Sequence, residues 1–196
     1  SCPDHFLRTK ISPLVLGLTP AQDLSDVASI KASIAPDFDA YREMYTAYYD
    51  ACKHPNSPAL RDPNPVVILY PGVGMFTFAK DKSTARVAAE FYINAINVMR
   101  GAEAISSYTA LPHQEAFNIE YWLLEEAKLS RMPKPKALSG RVAFVSGSAG
   151  GIGKAISKKF AEEGACVVIS DIDDDRMNNT LAEFKSTFGK DAASAA

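Results

Sequence analysis

The feature that most constrains this chain is the stretch Ser146-Gly147-Ser148-Ala149-Gly150-Gly151-Ile152-Gly153. It follows an apolar run, Val142 to Val145, and opens a segment of helical character. A second apolar run, Val167 to Ile169, ends just before Asp171. Strand, glycine turn, helix, strand and a terminal acidic residue is the order of a dinucleotide-binding βαβ unit. Gly147 lets the chain leave the strand sharply, while Gly151 and Gly153 admit a pyrophosphate to the backbone and the helix to the strands. The helix N-terminus adds unpaired N–H groups and partial positive charge. Asp171 can accept hydrogen bonds from both hydroxyls of an adenosine ribose and would repel a 2′-phosphate, which favours NAD over NADP. Arg176 argues weakly the other way.

A Walker A loop is the competing phosphate cradle, and it fails at two positions. Its first glycine would fall at Ser148, and the lysine, Lys154, is followed by Ala155 where serine or threonine is required. A glycine turn without a ligand is the plainer alternative, and the flanking strands with Asp171 speak against it.

The rest of the composition excludes several classes. A net charge of −2 gives no electrostatic case for nucleic acid or an anionic membrane. Three scattered cysteines, Cys2, Cys52 and Cys166, form neither a disulfide framework nor a metal-ligand pattern. Cys166, within the second apolar run, reads as a small buried hydrophobe. There is no run of roughly 18 apolar residues to span a membrane and no basic, apolar leader at Ser1. The reading is a cytoplasmic protein or a piece of one.

Before the glycine turn the pattern is helix-rich α/β. A strand is expected near Leu14 to Leu16. Thr19-Pro20-Ala21-Gln22 has the form of a helix start, and a second helix is expected from Pro36-Asp37. In that second helix Phe38, Tyr41, Tyr45, Tyr48 and Cys52 recur at helical spacing, as a core stripe more than a stacking surface. Residues 54–65 read as a loop and Val66 to Tyr70 as a strand buried on both faces, ended by Pro71 to Gly74. A helix from Ser83 to Arg100 should bury Val87, Phe91, Ala95 and Val98 or Met99 and stop at Gly101. A further helix is expected from His113 to Leu129, with Asp81, Lys82, Glu125 and Glu126 as solvated charge. The Pro/Lys segment 131–137 is read as a linker between parts 1–130 and 138–196. Beyond it the order is βαβα, with a last helix from Asp173 to Phe188 that places Met177, Leu181 and Phe184 on one side. The fold class expected is α/β, a helix-rich segment followed by a truncated Rossmann unit.

With three residues between its first two glycines, Ser146 to Gly153 resembles the TGxxxGxG signature of the short-chain dehydrogenase/reductase family, with serine in the threonine position. The resemblance implies that Gly147, Ser148, Gly151, Ile152 and Gly153 line the pyrophosphate and that Asp171 and Ile172 border the adenosine. It further implies a catalytic tyrosine, lysine and serine downstream. Tyr49 and Lys53 match a Tyr-x-x-x-Lys pattern but precede the glycine turn and sit on the aromatic helix, so they are read as coincidence and no catalytic residue is assigned.

The earlier part resembles a narrower group. Asn64 to Phe76 (NPVVILYPGVGMF), Ala85 to Tyr92 (ARVAAEFY) and Glu120 to Leu129 (EYWLLEEAKL) are similar to bifunctional rhamnulose-1-phosphate aldolase/short-chain dehydrogenase proteins. That resemblance implies a class II, zinc-dependent aldolase module ahead of the dehydrogenase module. Its zinc would be held by a histidine cluster with a His-x-His pair, and His5, His54 and His113 form none, so no metal ligand is assigned within this chain. The expectation is an NAD-binding piece of a bifunctional sugar-catabolism enzyme, inactive by itself, with an unpaired sheet edge that favours homo-oligomers. The alternative is a self-contained, non-catalytic nucleotide-binding module.

Overall fold

The computed structural model describes residues 3–18 and 25–196, so the helix start at Thr19 to Gln22 and Cys2 lie outside the described residues. The chain divides into two compact units, one of residues 1–78 and 86–132 and the other of 79–85 and 133–196. No described helix is long and apolar enough to cross a membrane.

In the first unit, α1 (Pro3–Thr9) leads to β1 (Leu14–Val15), then α2 (Val27–Cys52), β2 (Val67–Tyr70), β3 (Gly74–Thr77), α3 (Lys82–Ile105, from Arg86 onward), α4 (His113–Glu120) and α5 (Leu123–Ser130). β1 runs parallel to β2, with Leu14 opposite Ile68, and β3 returns antiparallel to β2, with Ile68 opposite Phe76. The expected β2 is present and mostly buried, but β3 was not foreseen. The Pro71 to Gly74 segment does end β2, and positive φ at Gly72 and Gly74 turns the chain back as a hairpin.

The tyrosine stripe forms the core as expected: Tyr41, Tyr45, Tyr48 and Cys52 pack with Leu14, Ile68, Phe117 and Tyr121. Its helix does not begin at Pro36. α2 starts at Val27, where the Asp26 carboxylate accepts from the N–H groups of Ala28 and Ser29, and Pro36 lies inside it. The hydrogen bond that Pro36 cannot donate would have reached Ala32, an exposed residue whose carbonyl water can satisfy. α3 likewise passes through Gly101, which keeps an ordinary helical φ, and leaves Val98 57% exposed with only Ala88 fully buried. The expected helix from His113 to Leu129 is two helices, because extended backbone at Trp122 separates α4 from α5. Glu125 is not solvated, its side chain being 13% exposed beside Lys128, and Glu126 pairs with Arg61 at 2.8 Å.

A buried carboxylate lies inside this core. Glu120 accepts from the hydroxyl of Tyr45 at 2.6 Å and from that of Tyr48 at 3.2 Å, and the Tyr121 hydroxyl stands 2.8 Å from that of Tyr45. Burial pushes the carboxyl of Glu120 up, while the phenol hydrogen bonds and the charges of Arg61 and Lys10 oppose that shift.

In the second unit, β4 (Val142–Ser146), α6 (Gly151–Glu162), β5 (Cys166–Ser170), α7 (Asp174–Phe188) and β6 (Ala193–Ala195) form a sheet ordered β4-β5-β6, parallel throughout. The βαβα order of the sequence reading is present, extended by β6, which pairs Val167 with Ala193. Ala161, Val167, Ile169, Phe184 and Ala193 make the core, with Met177 and Leu181 packed against it. Val142 and Phe144 face outward from β4 and are largely exposed. Cys166 is half-buried and free, not fully buried.

Candidate functional site

The parallel pairing of β4 with β5 brings Ser146 opposite Ser170, and so sets the glycine turn beside the residues that follow β5. Gly147 has φ 63° and Gly151 φ 51°, left-handed values that glycine adopts without strain. A Cβ on either would meet nothing within 4 Å, so the backbone there faces open space. Gly153 has the opposite role. A Cβ on it would stand 2.2 Å from the Gly147 carbonyl oxygen, so only glycine allows α6 to lie this close to the turn.

No side chain caps α6 at Gly150, so the leading N–H groups of the helix are left for a ligand or water. Lys154 takes no part, since its ammonium pairs with Glu183 at 2.6 Å. Asp171 lies at the end of β5. Its carboxylate accepts from Ala149 N–H at 3.0 Å and from Asp173 N–H at 3.2 Å. Those backbone bonds, Ala149 first, hold its carboxyl below the usual aspartate range. Both oxygens keep lone pairs for a further donor. The apolar side chains of Ile152 and Ile172 are exposed, at 80% and 101%.

Ser148 does not present itself to a ligand. It is fully buried, its hydroxyl accepts from Ser170 N–H at 2.9 Å, and its own N–H donates to the Ser170 carbonyl. Its hydroxyl and N–H both fasten the turn to β5. The sequence reading missed Thr180, a buried residue of α7 whose hydroxyl donates to the Ala149 carbonyl at 3.3 Å. The available signal was a polar residue next to Leu181 on the apolar side of that helix. Arg176 is held by Asp173 at 2.7 Å, with its guanidinium beside Gly150.

Tyr49 and Lys53 are engaged locally. The Tyr49 hydroxyl donates to the Pro58 carbonyl at 2.7 Å, and Lys53 pairs with Asp50 at 2.7 Å. Among the described residues no three histidine, cysteine, aspartate or glutamate side chains group as a metal site. His113 opens α4 and is exposed.

Residues 1–129 match the family described as aldolase class II, second domain, and residues 141–196 match the short chain dehydrogenase family. The chain belongs to the class II aldolase second-domain family and continues into a short-chain dehydrogenase domain. It is 33% identical over 195 residues to the uncharacterized oxidoreductase YuxG of Bacillus subtilis, which covers 100% of this chain and 28% of that protein. It is thus similar along its whole length to a protein of which it spans little more than a quarter. Over 49 residues, 25% of this chain and 20% of the relative, it is 47% identical to the (2S)-[(R)-hydroxy(phenyl)methyl]succinyl-CoA dehydrogenase subunit BbsD of Thauera aromatica. A solved hydroxysteroid dehydrogenase from Escherichia coli is 41% identical, covering 30% of this chain and 23% of that one, with a TM-score of 0.28.

Proposed function

We propose that the second unit binds NAD at the turn Gly147–Gly153 with the adenosine ribose on Asp171, and that the chain is the junction of a bifunctional aldolase and dehydrogenase. The observation that carries the cofactor reading is the pairing of an open, uncapped glycine turn with a carboxylate that its own Ala149 N–H holds in place. The residues fit the group. Gly147 and Gly151 leave room that a Cβ would fill, the first N–H groups of α6 can face the pyrophosphate, and Ile172 offers an apolar surface to the adenine.

When bound, the nicotinamide supplies the hydride acceptor or donor. The work of this chain's own residues is to bind and orient. Asp171, ionised through the neutral range, accepts ribose hydroxyls and repels a 2′-phosphate. Arg176 is paired with Asp173, and its charge also helps keep Asp171 ionised.

The whole protein is proposed to cleave a phosphorylated ketose of the rhamnulose type at a zinc centre and to oxidise a small aldehyde or alcohol with NAD, in the cytoplasm. Resemblance to the aldolase/dehydrogenase group supports that reading. The 196-residue chain alone is proposed to bind NAD without turning it over, since Tyr49 and Lys53, its one match to the family's catalytic pattern, are tied up within the first unit. Calorimetric titration of the chain with NAD and with NADP tests the assignment. NAD should bind at least about tenfold more tightly than NADP, and Asp171→Ser should narrow that gap. Equal affinities, or no binding of either, would refute it.

A further inference from the structure

Residue Ala149 is tied through both of its backbone polar groups, which belong to consecutive peptides. Its N–H donates to Asp171, and its carbonyl accepts from the hydroxyl of Thr180. Thr180 comes from α7 and is 2% exposed, so no water competes for this bond. Its neighbours on the same helix side, Met177, Leu181 and Phe184, are core residues. A hydroxyl at this position interrupts an apolar face, and its acceptor is the Ala149 carbonyl of the glycine turn; the Gly150 carbonyl beside it accepts from Lys154 N–H within α6.

A trans peptide is planar, with its C=O and N–H pointing in opposite directions. Fixing the Ala149 carbonyl toward α7 therefore fixes the Gly150 N–H away from α7. Gly150 is the N-cap of α6, in extended backbone at φ −153° and ψ 166°. Ser148 and the Ala149 N–H are already anchored on one side of that peptide, and Gly150 on the other side, having no Cβ, leaves its orientation the softer variable that the Thr180 hydroxyl fixes. The same carbonyl anchor also steadies the Ala149 N–H that positions Asp171.

We infer that Thr180 is a positioning residue for the dinucleotide site, acting through the Ala149 peptide to aim the Gly150 N–H at the pyrophosphate and to hold the Asp171 carboxylate for the ribose. This rests on the NAD reading of the glycine turn. It assigns to the middle of α7 a part in cofactor binding that involves no contact with the cofactor.

The test is calorimetric titration of the full 196-residue chain with NAD, in three forms: unchanged, Thr180→Val and Thr180→Ser. Valine keeps the shape and removes the donor, and serine keeps the donor and removes a methyl group. Thr180→Val should weaken NAD binding about three- to tenfold, the worth of one hydrogen bond, while Thr180→Ser stays near the unchanged chain. In the amide spectrum the Gly150 resonance should move in Thr180→Val and return in Thr180→Ser. If Thr180→Val does not fold, Thr180→Cys, similar in size with a poorer donor, should give the same ordering. Unaltered affinity in Thr180→Val, or equal weakening in valine and serine variants, would overturn the inference. Absence of NAD binding by the unchanged chain would instead remove the cofactor reading beneath it.

Discussion

Two glycines show how differently the same residue type constrains a chain. At Gly153 a Cβ would meet the Gly147 carbonyl oxygen at 2.2 Å, and backbone on both sides leaves neither atom free to yield. At Gly101, within α3, a Cβ would meet nothing within 4 Å and φ is not left-handed. Gly153→Ala should therefore destabilise the second unit by about 3 kcal/mol and abolish cofactor binding. Gly101→Ala should stabilise the first by about 0.5–1 kcal/mol, because alanine loses less backbone entropy in a helix. Chemical denaturation of the two variants measures both signs. The role of Gly153 was legible in the sequence, since its spacing from Gly147 implies close packing. That Gly101 lies inside a helix was not legible, because glycine after an apolar stripe also marks a helix end.

Among elements, the end of α1, the loop before β2 and the helix pair α2 and α4 meet at charged groups held in the core. Lys10 follows α1 with φ 60°, its ammonium lies 3.9 Å above the Tyr45 ring, and it donates to the Asp62 carbonyl. Arg61 donates to the Glu120 carbonyl at 2.9 Å. Burial pushes the Lys10 ammonium down to about 8, against the attraction of Asp62 and Glu120. Below that pH both folded and unfolded chains carry the proton, and the full cost of burying it is present. Between about 8 and 10.5 only the unfolded chain holds it, so this contribution makes stability rise with pH. The difference in stability between the unchanged chain and Lys10→Met should move in favour of the unchanged chain by on the order of 3 kcal/mol across that window. Denaturation at a series of pH values checks it, and a flat difference would mean that Lys10 is not buried as described. Sequence periodicity located the tyrosines but not this network. Glu120 carries no periodic signal of burial, and the two phenols that donate to it come from a helix far earlier in the chain.

At the level of the whole molecule, the chain joins a class II aldolase second domain to a short-chain dehydrogenase domain. The second part was the more legible, because strand, glycine turn, helix and strand are close in sequence and each constrains the next. β6 escaped notice, since Ala193 to Ala195 carries no bulky apolar residue to mark a strand, and the pairing with β5 makes it one. The first part was legible in its apolar runs and less so in its boundaries. Pro36 and Gly101, both of which usually mark helix ends, lie inside helices, while extended backbone at Trp122 breaks a helix that the apolar pattern runs through. Placement of the dinucleotide on the glycine turn and Asp171 is tested by an amide-resolved NMR titration of the chain with NAD. Shifts should concentrate at Gly147, Gly150 to Gly153, Asp171 and Ile172, with the first unit unmoved. Shifts centred in the first unit, or none at saturating NAD, would contradict it.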